Sequence, residues 1–269
     1  MPRCYDLVTF ITDYGLSGGF VGALHAVVDS FSPGARRIDL DHLVPPQDVV
    51  LGAVRLRRAM RHTRPGVHVA VVDPGVGTSR RGLALEAGGR AFIGPDNGIL
   101  MPAAAAVGGV ERAVSLARPD EAGSRTFDGR DLFAPAAGRL LAGEDLLALG
   151  SPLDPGELVT LELPGPLELP DGAFELTVMQ VDAFGNVQFA WEEPPLHRLG
   201  AAVAVLAAGG KEAVVPLGTT FADVAEGSPL LLEDSDGCLA LSVNRGRADR
   251  LLDLSPGKKV ICRPLGLQG

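Results

Sequence analysis

Short apolar runs alternate with longer segments of helical spacing through the first half of the chain. Apolar runs of five or six residues are typical of buried strands, and apolar positions three or four apart are typical of helices. This alternation predicts an α/β domain with a central sheet flanked by helices. The predicted strands are Leu7–Thr12, Arg36–Leu40, Val67–Val72, Ala91–Ile93 and Val110–Ser115, and the predicted helices are Gly19–Phe31, Gln47–Arg61, Ile99–Val107 and Asp131–Ala142.

The pattern changes between Ser151 and Gly172, where five prolines would interrupt a helix or a strand ladder. We therefore predict an α/β domain over 1–155, a proline-rich linker over 156–172 and a smaller β domain, a barrel or a sandwich, over 173–269. Its predicted strands, separated by Gly, Asp and Ser turns, are Phe174–Val181, Val203–Leu206, Ala213–Pro216, Leu230–Glu233, Leu239–Val243 and Lys259–Arg263.

Composition and charge narrow the function classes. The 269 residues carry a formal charge of −9, which argues against binding along a nucleic acid. Cys4, Cys238 and Cys262 are odd in number and widely spaced, so we predict neither a disulfide framework nor a cysteine zinc site, and we expect a cytoplasmic protein. No apolar stretch approaches the length of a membrane span, so we expect no membrane association.

The segment from Val71 to Arg81 is the most informative for chemistry. An apolar strand leads to Asp73 and a glycine-rich turn, and Arg80 follows seven residues later. Ligands bind at the carboxyl ends of strands in open α/β sheets, and glycines allow backbone amides to approach them. The alternative is a tight turn in which Asp73 accepts local amide hydrogen bonds and Arg80 faces water.

Other polar clusters follow predicted strands. Asp13 ends the first strand, where a carboxylate can accept the hydroxyls of a ribose or merely cap a helix. Phe127 and Asp128 precede a predicted helix as an aromatic and an acid, although both could be structural. In the second half, the turns at 182–186, 233–237 and 242–246 offer an aromatic ring and amide or hydroxyl groups, each a weak signal alone. The signature motifs of P-loop, dinucleotide-binding, zinc-protease and serine-hydrolase sites are lacking.

Seven segments occur in an order that resembles the S-adenosyl-L-methionine hydrolases. These adenosine-forming enzymes, the SAM hydroxide adenosyltransferases, were once listed as a domain of unknown function (DUF62) and are related to the fluorinase and chlorinase. The resemblance extends from about Asp6 to about Val260. The segments that carry it are TDYG, VPPQD, VVDPGVGTSRR, GPDNGIL, TFDGRDLFAP, DAFGNVQ and EDSDGCLALSVNRG.

The resemblance implies hydrolysis of S-adenosyl-L-methionine to adenosine and L-methionine, with no cofactor, in a homotrimer. It also implies a C-terminal β-barrel and a substrate site shared between the N-terminal domain of one subunit and the C-terminal domain of another. Asp73, Arg80 and Asp128 would be catalytic, and Asp13 would hold the ribose hydroxyls. The remaining substrate contacts would be Phe127, Phe184, Asn186, Ser235, Asn244 and Arg245.

Two positions depart from the family pattern. The usual motif TFHGRD reads TFDGRD here, so that Asp128 stands in the place of a histidine, and Gly18 replaces an acidic residue. Two alternatives to hydrolysis follow. A halogenase would attack the same ribose carbon with a halide, although a carboxylate at Asp73 would repel it. A protein that binds adenosine or S-adenosyl-L-methionine without turnover would fit the loss of the histidine.

Overall fold

The structure is a computed structural model that describes residues 5–118 and 124–265. Its chain divides into two compact units, Met1–Leu163 and Pro164–Gly269. The division lies inside the segment 156–172 that the prolines mark as a linker, and a short strand within that segment pairs with the second unit. Cys4 lies outside the described residues.

A seven-stranded mixed sheet forms the centre of the N-terminal unit. Its order is β2-β1-β3-β5-β4-β6-β7. The pairs among the first four strands are parallel, and the pairs that β4, β6 and β7 form are antiparallel. The strands are β1 (Leu7–Thr12), β2 (Arg36–Asp41), β3 (Val67–Val71), β4 (Gly82–Ala87), β5 (Arg90–Pro95), β6 (Val110–Leu116) and β7 (Gly150–Leu153).

Helices cover both faces of this sheet. On one face, Val8 and Phe10 of β1 share a buried cluster with residues of two helices, α1 and α4, whereas Ile11 joins a second cluster with α2 and α3. Alternate residues of a strand point to opposite faces, so a strand buried on both sides reads as a continuous apolar run. The helices are α1 (Phe20–Phe31), α2 (Val49–Ala59), α3 (Met101–Ala106) and α4 (Ala134–Leu141).

Two strands of this unit were not predicted. β4 was missed because it follows the glycine-rich turn and begins with a glycine itself. The edge strand β7 lies in the proline-containing segment, and Pro152 is tolerated there because an edge strand leaves some backbone amides unpaired. The helix predicted over Asp131–Ala142 is α-helical only from Ala134, with Pro135 in its first turn and a π-helical turn, Gly129–Phe133, before it.

The C-terminal unit is an antiparallel sheet that nearly closes into a barrel. Its strand order is β12-β11-β15-β9-β10-β14-β13, and β8 pairs with β9. A bridge between Leu217, just after β12, and Leu231 of β13 links the two edges. The elements are β8 (Leu167–Glu168), β9 (Phe174–Val181), β10 (Val187–Glu192), β11 (Ala202–Ala207), β12 (Glu212–Pro216), β13 (Pro229–Glu233), β14 (Cys238–Val243), α5 (Ala248–Leu252) and β15 (Lys259–Leu265).

Strand β10 was also not predicted. Its large apolar residues Val187, Phe189 and Trp191 alternate with Gln188, Ala190 and Glu192, a strand pattern that was overlooked. Cys238 and Cys262 are buried in this unit. Within residues 5–118 and 124–265, none of the helices is long and apolar enough to span a bilayer, and no group of three or more His, Cys, Asp or Glu side chains is arranged to hold a metal ion.

Candidate active site

Asp13 and Asp73 follow two neighbouring parallel strands. Asp13 comes directly after β1 and Asp73 comes two residues after β3, and the two strands pair in register along their length. Because parallel strands end at the same edge of a sheet, both carboxylates lie at that edge. They line one cavity of about 140 Å³. One oxygen of Asp13 accepts a hydrogen bond from the backbone amide of Gln47 at 2.9 Å.

Arg80 joins two carboxylates that are 48 and 7 residues away from it in the chain. Its Nη2 atom donates to Oδ2 of Asp73 at 2.5 Å and to Oδ2 of Asp128 at 2.7 Å. The side chains are 10%, 5% and 1% exposed, respectively. Arg80 also donates from Nη1 to the carbonyl of Arg81, and its guanidinium stacks over Phe133. This buried network unites the three residues predicted to be catalytic.

The two carboxylates differ in how their remaining oxygen is used. Oδ1 of Asp128 accepts a hydrogen bond from Nη2 of Arg118 at 2.8 Å, so a guanidinium contacts each of its oxygens. Oδ1 of Asp73 accepts only a 3.2 Å hydrogen bond from the backbone amide of Gly75, among the described residues. Asp73 therefore keeps an oxygen that can accept a further hydrogen bond, whereas both oxygens of Asp128 already accept from guanidinium groups.

Burial raises the pKa of Asp73 above the ordinary value for an aspartate. The nearby Arg80 charge and its hydrogen bond oppose this rise, and the negative charge of Asp128 adds to it. A carboxylate that is desolvated in this way binds a proton more readily than an exposed one. Such a group is suited to accept a proton from a water molecule.

Three aromatic rings line the same cavity. Tyr14, Phe20 and Phe127 have ring centroids 5.2–5.8 Å apart, and Phe127 meets the other two rings edge to face. The cavity thus combines an apolar wall with Asp13, Asp73 and Asp128. Burial, together with these three carboxylates, raises the pKa of Tyr14 above that of an ordinary phenol.

Gly18 has a backbone conformation that explains its glycine. Its φ is +82°, and a Cβ added there would lie 3.0 Å from the ring of Phe20. Side chains of L-residues rarely adopt this conformation. An acidic residue at position 18 would therefore be strained and would press on the ring of Phe20, which lines the cavity.

The C-terminal unit has cavities of its own. Phe184, Asn186 and Ser235 line one of about 480 Å³, together with Gln188 and Asp234. Phe184 and Asn186 also line a shallower depression of similar volume with Arg245. Phe184 is largely exposed. These residues present an aromatic face and polar groups on one surface of the unit.

Hydrogen bonds to Asp182 shape the turn that carries Phe184 and Asn186. The carboxylate of Asp182 accepts hydrogen bonds from the backbone amides of both residues at 2.9 Å and from the side-chain amide of Asn186 at 2.8 Å. Asn244 lines neither cavity, because its side-chain amide donates to the carbonyl of Val224. Arg245 is exposed and pairs with Glu226. Of the contacts predicted on this unit, Phe184, Asn186, Ser235 and Arg245 line its cavities, whereas Asn244 is directed to the backbone.

Arg81, next to Arg80, has a separate structural partner. Its Nε donates to Oδ2 of Asp96 at 2.8 Å, and its Nη2 donates to the carbonyl of Glu157. Asp96 also accepts the amide of Val159. Asn97, also of the GPDNG segment, donates to the carbonyl of Val72. The acidic and amide side chains of this segment thus hold the backbone, in a structural role.

Two family models match most of the chain. Residues 8–150 match the model of the SAM hydroxide adenosyltransferase N-terminal domain, and residues 176–261 match the model of the C-terminal domain. The chain belongs to the SAM hydroxide adenosyltransferase family. The resemblance seen in the sequence motifs is thereby confirmed.

Members and relatives of the SAM hydroxide adenosyltransferase family differ in their distance from this chain. An (R)-S-adenosyl-L-methionine hydrolase of Salinispora arenicola (strain CNS-205) is 46% identical, over 94% of this chain and 96% of its own. A fluorinase of Actinoplanes sp. (strain N902-109) is 26% identical, over 88% and 91%. The crystal structure of an uncharacterized conserved protein from Thermotoga maritima has a TM-score of 0.84 at 32% identity, covering 95% of this chain and 99% of its own.

Sequence reasoning missed three contributors to the site. Tyr14 and Phe20 line the cavity, and their aromatic character within the segment after β1 was the available signal. Arg118 contacts Asp128, but nothing in its own surroundings in the sequence distinguishes it from other arginines. Its role becomes visible only when the π-helical turn brings Asp128 next to Arg80.

Proposed function

We propose that the protein hydrolyses S-adenosyl-L-methionine to adenosine and L-methionine. The oxygen of a water molecule would attack C5′ of the ribose. The C5′–S bond would break, its electron pair would pass to sulfur to give the thioether of methionine, and the water would lose a proton. The pairing of Asp73 with Arg80 beside Asp13 in one cavity supports this proposal, together with 46% identity to a curated hydrolase.

Asp73 is the proton acceptor in this proposal. Its Oδ1 accepts only a backbone hydrogen bond, whereas the other oxygens of the two buried carboxylates accept from guanidinium groups. The raised pKa of Asp73 also favours proton uptake. Arg80 orients that carboxylate through a charge-assisted hydrogen bond and supplies a positive charge close to the developing hydroxide. Asp128 anchors Arg80 rather than accepting the proton, since both of its oxygens already accept from guanidinium groups.

The substrate itself makes the reaction accessible without a cofactor. A sulfonium is a good leaving group, so the protein chiefly has to align a water molecule and exclude others. We propose that Asp13 holds the ribose hydroxyls and that Phe127 packs against the nucleoside. On the C-terminal unit, Phe184, Asn186, Ser235 and Arg245 would contact the adenine and methionine moieties.

We further propose a homotrimer in which each site combines the N-terminal unit of one subunit with the C-terminal unit of another. The candidate groups are distributed between cavities that each belong to one unit, which is compatible with a shared site. A cytoplasmic location is part of the proposal, and the three widely spaced cysteines of the chain fit a reducing compartment.

Incubation of the purified protein with S-adenosyl-L-methionine, followed by chromatography, tests the reaction. We expect adenosine and methionine in equal amounts. Asp73→Asn should abolish most turnover, whereas Asp6→Asn, an exposed aspartate that pairs with Arg64, should not. A halogenated nucleoside formed on addition of chloride or fluoride would instead select the halogenase. Tight binding of the substrate without products would select a binding protein.

A further inference from the structure

Charge balance around the nucleophile site requires a second cation. Asp73 and Asp128 are both nearly inaccessible to solvent, and Arg80 bridges them with a single nitrogen, Nη2. Two buried carboxylates that share one guanidinium leave one negative charge uncompensated, which is costly in a desolvated site. Without a second cation, Arg80 would be shared unequally between them.

Arg118 supplies that second cation. Its Nη2 atom donates to Oδ1 of Asp128 at 2.8 Å, on the side of the carboxylate away from Arg80's bond to Oδ2. Its side chain is 36% exposed, so Arg118 reaches the buried carboxylate from the surface. With Arg118, two guanidinium groups balance two carboxylates, and the four side chains form the chain Arg118–Asp128–Arg80–Asp73.

We propose that Arg118 is a positioning residue for hydrolysis, which neutralises Asp128 and thereby keeps the guanidinium of Arg80 directed at Asp73. The inference rests on the proposed function. Arg118 reaches neither the substrate cavity nor Asp73 directly. It acts through two intervening side chains, so its loss should change the rate and its pH dependence more than substrate binding.

Other titratable groups also lie close to these four side chains. The pKa of Tyr14 is affected by the charges of four neighbours, Asp13, Asp73, Asp128 and Arg80. Asp131 lies close enough to Arg118 for that guanidinium to lower its pKa, although its main partner is Arg130. Arg118 is nevertheless the cation in hydrogen-bond contact with the second oxygen of Asp128.

A double-mutant cycle with pH–rate profiles tests the proposal. For Arg118→Gln we expect kcat at pH 7 to fall on the order of tenfold or more, since small displacements of reacting groups have large effects on rate. KM should stay within a few-fold, and the acidic limb of the profile should move to higher pH by about one unit. Arg118→Lys should retain most of the activity, because the positive charge is kept.

The Asp128→Asn background provides the decisive comparison. Asparagine has a similar shape but no charge, so Arg118 has no carboxylate left to neutralise. Arg118→Gln should then change kcat much less than it does beside Asp128. Arg64→Gln, which removes an exposed guanidinium paired with Asp6, is the matched control and should leave kcat and the pH profile unchanged.

Two results would overturn the inference while leaving the proposed function intact. One is an Arg118→Gln enzyme with the kcat and pH profile of the wild type. The other is an equal fall in kcat whether Arg118→Gln is made in the wild type or in the Asp128→Asn background, with thermal unfolding lowered equally in both, which would indicate a purely structural role. A wild-type protein that releases no adenosine would instead overturn the proposed function, and the inference with it.

Discussion

The phenol oxygen of Tyr14 occupies the space that a side chain at Gly129 would need. A Cβ at position 129 would lie 2.3 Å from that oxygen and 3.1 Å from the nearest ring carbons. The distance to the oxygen is one that real Cβ atoms essentially never show. The ring that forms part of the cavity wall and the π-helical turn that carries Asp128 are therefore fitted to each other at a glycine.

Gly129→Ala should displace the Tyr14 ring and reduce hydrolysis on the order of ten- to hundredfold, because the ring borders the cavity that holds Asp73. Steady-state kinetics with S-adenosyl-L-methionine measure this loss. Tyr14→Phe removes the clashing oxygen, so the double variant should recover much of the activity. A double variant as impaired as Gly129→Ala alone would contradict this explanation.

Asp73→Asn should lower kcat by about 10²–10⁴-fold while KM changes only several-fold, as expected when a general base is lost. Rapid quenching and chromatography of adenosine would measure kcat. In the wild type, kcat/KM should fall as the pH is lowered through the raised pKa of Asp73, because the protonated carboxyl cannot accept a proton. The midpoint of this fall should lie above 3.8, the ordinary aspartate value.

The same pKa has a consequence for stability. A folded-state pKa above the unfolded value means that ionised Asp73 opposes folding at neutral pH, and that this opposition disappears as the pH falls below the unfolded value. Asp73→Asn should therefore unfold at the same or a higher temperature than the wild type at pH 7, with the difference shrinking toward pH 4. A large loss of stability at pH 7 would mean that pairing with Arg80 outweighs desolvation.

Asp13→Ala should act mainly on KM. A carboxylate that holds ribose hydroxyls does so in the ground state and in the transition state alike, so its loss weakens both. We expect KM to rise about ten- to hundredfold, since a hydrogen bond to a charged group contributes about 1.5–3 kcal/mol. Asp13→Asn keeps an oxygen for the Gln47 amide and should be milder. A change confined to kcat would assign Asp13 a different role.

Mixed subunits test whether the site is shared. Asp73→Asn inactivates the N-terminal contribution, and a Phe184→Ala/Asn186→Ala variant weakens the C-terminal one. When the two proteins are unfolded together and refolded, hybrid trimers would contain some sites with intact Asp73 from one subunit and intact Phe184 from another. Activity should reappear in the mixture, with light scattering showing three chains per particle. Sites built within single subunits would give no recovery.

His68 should make the fold sensitive to acid. Burial, with a smaller effect of the Arg90 charge, lowers the pKa of His68 to about 3, while Thr9 holds the ring at 2.8 Å. The unfolded chain takes up this proton near pH 6.5 but the folded chain does not, so stability falls as the pH decreases from about 6.5 toward 3. Chemical unfolding should show a contribution of up to about 1.4 kcal/mol per pH unit. His68→Gln should remove that part of the slope.

The sequence predicted the elements that carry regular patterns. The strands that precede Asp13 and Asp73 were predictable because buried parallel strands are continuous apolar runs. Because these two strands are neighbours, both carboxylates lie at the same edge of the sheet. β4 was not predictable, because it begins at the end of a glycine-rich turn. β10 was missed despite a regular pattern, in which Val187, Phe189 and Trp191 alternate with Gln188, Ala190 and Glu192. The pairing of Arg118 with Asp128 depends on a π-helical turn, which local patterning does not predict.

The side-chain directions of Arg80 and Arg81 depend on how β4 is aligned. Gly82 pairs with Pro95 at the start of this strand, and the two arginines immediately before it serve different partners, one the carboxylates of the cavity and the other Asp96. A shift of one residue in the alignment of β4 would exchange the directions of the Arg80 and Arg81 side chains, because consecutive side chains alternate in direction. A misaligned chain could still bury its apolar residues but would lack the guanidinium beside Asp73. Catalytic activity per folded molecule therefore reports directly on whether β4 has paired in the correct register.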